Sequence, residues 1–171
     1  MEKTETEILA EEILLKAKTE LTGNIHSLIR AINALQFVPT NEEDVFTDAK
    51  NFYYNPQFIL LRFKEDTSSV NRVLLHSILH CMLLHPFNID FKDTTLWNLS
   101  SDICVENIIN NWNLNSTKSH KETAQSMVIN DISKSVKNFS AENIYYYLKG
   151  SELSQETIKY YRDLFSDDVH K

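Results

Sequence analysis

Only two glycines and three prolines punctuate this chain of 171 residues, and that scarcity constrains the fold more than any other feature. Tight turns and hairpin loops draw on those two residue types, so a turn-rich all-β architecture is disfavoured and long helices are favoured. The helical period is plain at the N-terminus, where "TETEILAEEILLKAKTEL" places Ile8, Leu9, Ile13, Leu14, Ala17 and Leu21 at three- and four-residue spacing and Gly23 follows as the expected C-terminal cap. "NIHSLIRAINAL" repeats the pattern through Ile25, Leu28, Ile29, Ile32 and Leu35. "SSVNRVLLHSILHCMLLH" reads as a helix capped by Ser68 or Ser69 and stopped by Pro86. "LSSDICVENIINNW" reads as another, capped by Ser100 or Ser101, with Ile103, Ile108, Ile109 and Trp112 turned inward. "SAENIYYYL" and "LSQETIKYYRDLF" form the last two helices, behind Ser140 and Ser154.

Two stretches depart from this period. "VFTDAKNFYYNPQFI" is rich in Phe, Tyr and Val, and "TDAK" supplies turn residues between two short apolar runs, which predicts a small hairpin or ribbon. "NLNSTKSHKETAQSMVINDISKSVKN" is polar, without a clear period, and reads as a long loop with room for a broken helix. The expected fold is therefore a single mainly helical α+β domain over residues 1–171, with a small β-hairpin or sheet and enough length for a real core.

Composition excludes several function classes. Hydrophobic residues at 42% and charged residues at 24% are those of an ordinary globule. No apolar run reaches the roughly 18 residues of a membrane span, and the acidic start "MEKTETEILAEE" is unlike a signal peptide, so a cytoplasmic location is expected. A net charge of −7 argues against a nonspecific grip on nucleic acid, which needs lysine and arginine on phosphates. Cys81 and Cys104 match no disulfide, knuckle or redox spacing; reduced thiols acting as small hydrophobes are expected.

The chemistry-bearing stretch is "LLHSILHCMLLHP". At about 100° per residue, His76 and His80 stand about 40° apart on one helical face and can both aim a ring nitrogen at one ion. Zinc takes four donors in a tetrahedron, so two histidines are half of a site. His85 would lie about 180° from His76 on a continued helix, with no glycine to turn the chain back. Asp102 is the better third ligand, and Glu106, four residues on, lies on the same face, placed to hold a histidine from behind or to act as a base. A lone H-x-x-x-H also arises by chance, and histidines among leucines also serve as satisfied core residues; spacing alone leaves both readings open.

The segments "VFTDAKNFYYNPQFI", "VLLHSILHCMLLHP", "LWNLSSDICVEN", "FSAENIYYYL" and "SDDVH" stand here in the order seen in the zincin-like metallopeptidase domain that often precedes a von Willebrand factor A-like domain in bacterial proteins. The chain resembles that family over most of its length. The resemblance implies His76, His80 and Asp102 as metal ligands, with His85 as a nearby family position without an assigned role; zinc is the expected ion because two imidazoles and one carboxylate suit it, although nickel or iron would accept the same donors, and a peptide or protein is the expected substrate or partner. His170 resembles a histidine of the family's closing segment; at a chain end it is expected to be mobile and exposed. The chain ends about where the family leads on to its von Willebrand-like half, so that half is expected to be absent or removed. Two departures matter: Ser77 stands where the family has its general-base glutamate, and Glu106 where it commonly has asparagine.

A serine hydroxyl titrates far above neutral pH and cannot take a proton from a metal-bound water as a carboxylate does. Three readings follow. The first is a zinc-binding pseudoenzyme, impaired or inactive as a hydrolase. The second is an active metal-dependent hydrolase that uses Glu106 or another base. The third is a metal-free interaction module, binding a protein partner through the aromatic helices that carry Tyr145, Tyr146, Tyr147, Tyr160, Tyr161 and Phe165. The same hairpin strand, "NFYYNP", resembles the edge strand on which zincin-like folds bind extended peptide, and its residues would serve equally well as ordinary sheet packing.

Overall fold

A computed structural model describes residues 3–87, 91 and 93–167. Eight helices and a three-stranded sheet appear among the described residues, which makes the protein a mainly helical α+β fold as expected. Helix α1 (Glu5–Asn24) opens with a reciprocal capping box: the Thr4 hydroxyl accepts from the Glu7 N–H, and Glu7 accepts from the Thr4 N–H at 2.7 Å. Gly23 lies inside this helix rather than capping it, because Ile25 closes the last turn through its N–H to the Leu21 carbonyl. A 3-10 turn (His26–Leu28) leads into α2 (Ile29–Ala34).

Strands β1 (Gln36–Pro39), β2 (Phe46–Thr47) and β3 (Asn51–Tyr54) form a sheet in the order β1-β3-β2. The β2–β3 hairpin is the predicted one: the Asp48 carboxylate accepts from the N–H groups of Lys50 and Asn51, an Asx-type turn that reverses the chain. The parallel pairing of β1 with β3 was not foreseen, and it corrects the reading of "NFYYNP". That strand is central, hydrogen-bonded on both sides, so its backbone is not available to add a peptide. Helix α3 (Pro56–Glu65) was also unread, although Asn55 as cap with proline at the first helical position is a standard start; the Asn55 carboxamide oxygen accepts from the N–H groups of Gln57 and Phe58.

Helix α4 (Thr67–Met82) starts two or three residues earlier than expected, capped by Asp66, and ends before Pro86 is reached. Helix α5 (Thr94–Trp112) is capped by Asp93 rather than by Ser100 or Ser101, so Asp102 lies mid-helix and not in a first turn; Trp112 is partly exposed at its far end. The polar segment read as a loop contains α6 (Glu122–Ser133), whose Val128, Ile129 and Ile132 form a short buried stripe. Helices α7 (Ala141–Gly150) and α8 (Gln155–Phe165) are capped by Ser140 and Ser154 as expected.

Two apolar clusters organise these elements. One gathers α1, α2, the sheet, α3 and the inner face of α4 around Leu14, Leu21, Phe52, Tyr54 and Leu75. The other gathers α5 to α8 around Trp97, Ile103, Ile144, Tyr145 and Phe165. Helix α5 serves both, giving Val105 and Ile109 to the first cluster and Trp97, Ile103 and Cys104 to the second. The seam between α4 and α5 is where the buried polar residues collect. No helix among the described residues is long and apolar enough to cross a membrane.

Candidate metal centre

Along α4, Arg72, His76 and His80 recur every four residues; along α5, Asp102, Glu106 and Asn110 do the same. Four-residue spacing keeps each set on one helical face, and the two faces meet in opposite directions like the halves of a zipper. His80 meets Asp102, His76 meets both Asp102 and Glu106, and Arg72 meets Glu106 and Asn110. All of the histidines and carboxylates in this seam are buried, with His76 and Glu106 at 0% exposure and Asp102 at 3%.

The predicted ligand atoms converge. His76 Nε2 lies 2.9 Å from His80 Nε2, and Asp102 Oδ1 lies 3.4 Å from the first and 3.3 Å from the second. Donors at about 2.0–2.1 Å from a tetrahedral zinc stand about 3.3 Å from one another, so the triangle has the size such an ion needs.

Proton placement points the same way. Burial pushes the Glu106 carboxyl up, but the hydrogen bonds from His76 and Arg72 and the Arg72 charge outweigh burial and hold it below the usual carboxylate range. An ionised carboxylate only accepts, so the 2.8 Å contact between His76 Nδ1 and Glu106 Oε1 puts the proton on Nδ1 and leaves Nε2 as a lone pair. Glu106 thus stands at His76 Nδ1, the ring nitrogen opposite the one that meets His80 and Asp102.

His85 corrects an expectation. On a continued helix it would point away from the site, but α4 does not continue that far. The helix stops at Met82, and Leu84 takes a left-handed backbone conformation at φ 59° despite being neither glycine nor asparagine. That turn brings His85 back and buries it, with Nδ1 3.1 Å from His80 Nδ1 and its carbonyl accepting from the Trp97 indole N–H. It faces the far nitrogen of His80, so it touches the back of the donor set. Ser77 is fully buried within α4. His170 lies outside the described residues.

Arg72, Gln125 and Asp167 belong to this seam and were not read from sequence. Arg72 was legible as the first member of the four-residue polar stripe, whereas Gln125 and Asp167 come from α6 and the segment after α8. Among the described residues a second group, His76, Glu106 and Asp167, is also close enough to share an ion. Its anions already face cations: Arg72 binds Glu106, while Arg62, Lys121 and Arg72 lie 3.3, 3.7 and 3.9 Å from Asp167. Burial and the Glu106 charge nevertheless push the Asp167 carboxyl up. The first group is the better candidate because it joins two imidazole nitrogens to one carboxylate oxygen, a donor set that suits a metal ion.

The aromatic tail closes the second core more than it forms a surface: Tyr145 and Phe165 are buried, while Tyr146 and Tyr160 face outward. Cys104 behaves as the small hydrophobe expected; burial pushes its thiol up to about 11.

Fold and site thus define a helical domain whose central seam is compatible with a bound metal ion. Residues 14–164 match the family described as "putative metallopeptidase domain", and the chain belongs to that family. No curated protein and no solved structure matches the chain.

Proposed function

We propose that this protein is a zinc-binding, metallopeptidase-like pseudoenzyme, with His76, His80 and Asp102 as the protein ligands. The observation that carries the metal assignment is the convergence of two imidazole nitrogens and one carboxylate oxygen at tetrahedral spacing, with the His76 lone pair set by Glu106. Two imidazoles and one carboxylate with a fourth position open are a donor set that zinc favours. When bound, such an ion supplies Lewis acidity to a water or a carbonyl oxygen.

What the position beside the first histidine lacks is a proton acceptor. Ser77 occupies the position next to the first histidine, where the family resemblance calls for glutamate, and its hydroxyl is no base at neutral pH. Loss of a general base costs roughly 10²–10⁴ in rate. Glu106 is a poor replacement: Oε1 accepts from His76, Oε2 accepts from Arg72 and from Gln125 at 2.9 Å, and its lowered pKa makes it a weak acceptor of a further proton. A peptide or protein is the partner class we propose, engaged without turnover; a von Willebrand factor A-like domain is one such partner.

Metal content by plasma mass spectrometry, on protein purified without a histidine tag, tests the assignment. Near-stoichiometric zinc that disappears in His76→Ala/His80→Ala is the expected result; protein that takes up no zinc even when it is supplied would overturn it. Ser77→Glu tests the impairment, with chelator-sensitive peptide hydrolysis expected in the variant and not in the parent. Hydrolysis by the parent would show that another base operates.

A further inference from the structure

We infer that Arg72 is a positioning residue for the metal centre: it clamps Glu106 so that His76 must present Nε2, and not Nδ1, toward the ion. This inference rests on the metal-binding reading above.

Arg72 is 2% exposed, and its guanidinium is surrounded by acceptors. Nε donates to Glu106 Oε2 at 3.0 Å and Nη2 donates to the same oxygen. Nη2 also reaches the side-chain oxygens of Asn110 and Gln125, and Nη1 donates to the Thr117 carbonyl at 2.6 Å and to Glu122 at 3.2 Å. Those acceptors come from α5, α6 and the turn between them, so the guanidinium is held in one orientation by three pieces of chain. Gln125 adds a third donor to Glu106 Oε2, at 2.9 Å.

The consequence falls on Glu106. With three N–H groups on Oε2, the carboxylate cannot rotate, and Oε1 is left facing His76 Nδ1 at 2.8 Å. A buried arginine–carboxylate pair is a weak source of stability, since desolvating both ions offsets most of their attraction. Direction is what this pair supplies: a fixed acceptor behind His76 selects one tautomer and one ring orientation, which is how groups behind a metal-binding histidine act. The planar guanidinium fork is needed for this, because a lysine ammonium would bring the charge without the two-pronged geometry.

The variants Arg72→Lys, Glu106→Gln and Arg72→Met/Glu106→Gln separate this role from simple packing. The last removes both charges together and so avoids an unpaired buried carboxylate. In Glu106→Gln, Arg72 retains the carboxamide oxygen, which turns the NH₂ toward His76 Nδ1 and favours the wrong tautomer. The measurements are zinc affinity by competition with a chromophoric chelator, melting temperature of the zinc-free protein, and histidine nitrogen NMR. Arg72→Lys and Glu106→Gln are each expected to weaken zinc binding by about 10–100-fold. The double variant is expected to bind no more weakly than Glu106→Gln alone, since Arg72 acts through Glu106. The zinc-free parent should show His76 protonated on Nδ1, and Glu106→Gln should lose that signature. Zinc affinity unchanged in Arg72→Lys while the melting temperature falls, or losses that multiply in the double variant, would overturn the inference. If the parent binds zinc and His80→Ala abolishes it while the Arg72 and Glu106 variants bind normally, this inference fails and the metal site stands. A parent that binds no zinc overturns both.

Discussion

His76 shows how much one side chain depends on what stands behind it. Its Nε2 faces His80 and Asp102 while Glu106 holds the proton on Nδ1, and the Arg72 charge and the hydrogen bonds from Arg72 and His76 hold the Glu106 carboxyl down against the burial that pushes it up. Asp102 completes the donor set from the opposite helix. Asp102→Ala should therefore lower zinc content well below stoichiometric and remove the zinc-dependent part of thermal stability; unchanged metal content would take Asp102 out of the site. Cys104 gives a contrasting prediction. With its thiol pushed up to about 11 by burial, only about one molecule in a thousand carries a thiolate at pH 8. Cys104 should stay unlabelled by a disulfide reagent until denaturant is added, and fast labelling of the native protein would show that the second core opens readily. That His76 and His80 share one helical face, and Asp102 and Glu106 another, was legible from spacing; the placement of His85 was not, because it hinges on the backbone of Leu84.

Elements carry the errors that sequence reading made, and each error has a local cause. The starts of α4 and α5 were set too late because serines were favoured as caps over Asp66 and Asp93, which cap equally well. Helix α6 is more regular than the broken helix that its sequence suggests; its buried stripe is short and set among polar residues. The parallel strand β1 could not be read locally, since its partner β3 is specified by packing rather than by a turn. Leu84 offers a test at this scale. It is exposed, and its left-handed conformation at φ 59° costs an ordinary residue about 1 kcal/mol. Leu84→Gly should be neutral or stabilising by up to about 1 kcal/mol in denaturant unfolding, whereas Leu84→Val should destabilise by a similar amount. Equal stability of the two variants would mean that the turn relaxes without consequence.

Across the whole molecule, α5 joins two apolar cores with the polar seam between them, so metal, seam and cores should respond together. Zinc at 100 times its dissociation constant stabilises by about 2.7 kcal/mol, which for a chain of this size is a rise of about 5–11 °C in melting temperature. We expect that rise in a single calorimetric transition, reversed by a chelator; two transitions, with only one responding to zinc, would show that the cores unfold separately. The sequence by itself determined the helical class, the hairpin, and two polar stripes whose four-residue period assigns each residue a direction on its own helix. Only the tertiary structure decided that the stripes face each other, that Arg72 reaches Glu106 34 positions away and Gln125 53 positions away, and that Asp167 joins them. The reason is physical: helical period specifies orientation about one axis, whereas contact between distant stripes follows from how two cores bury their apolar faces and leave the charged residues to satisfy one another in the seam.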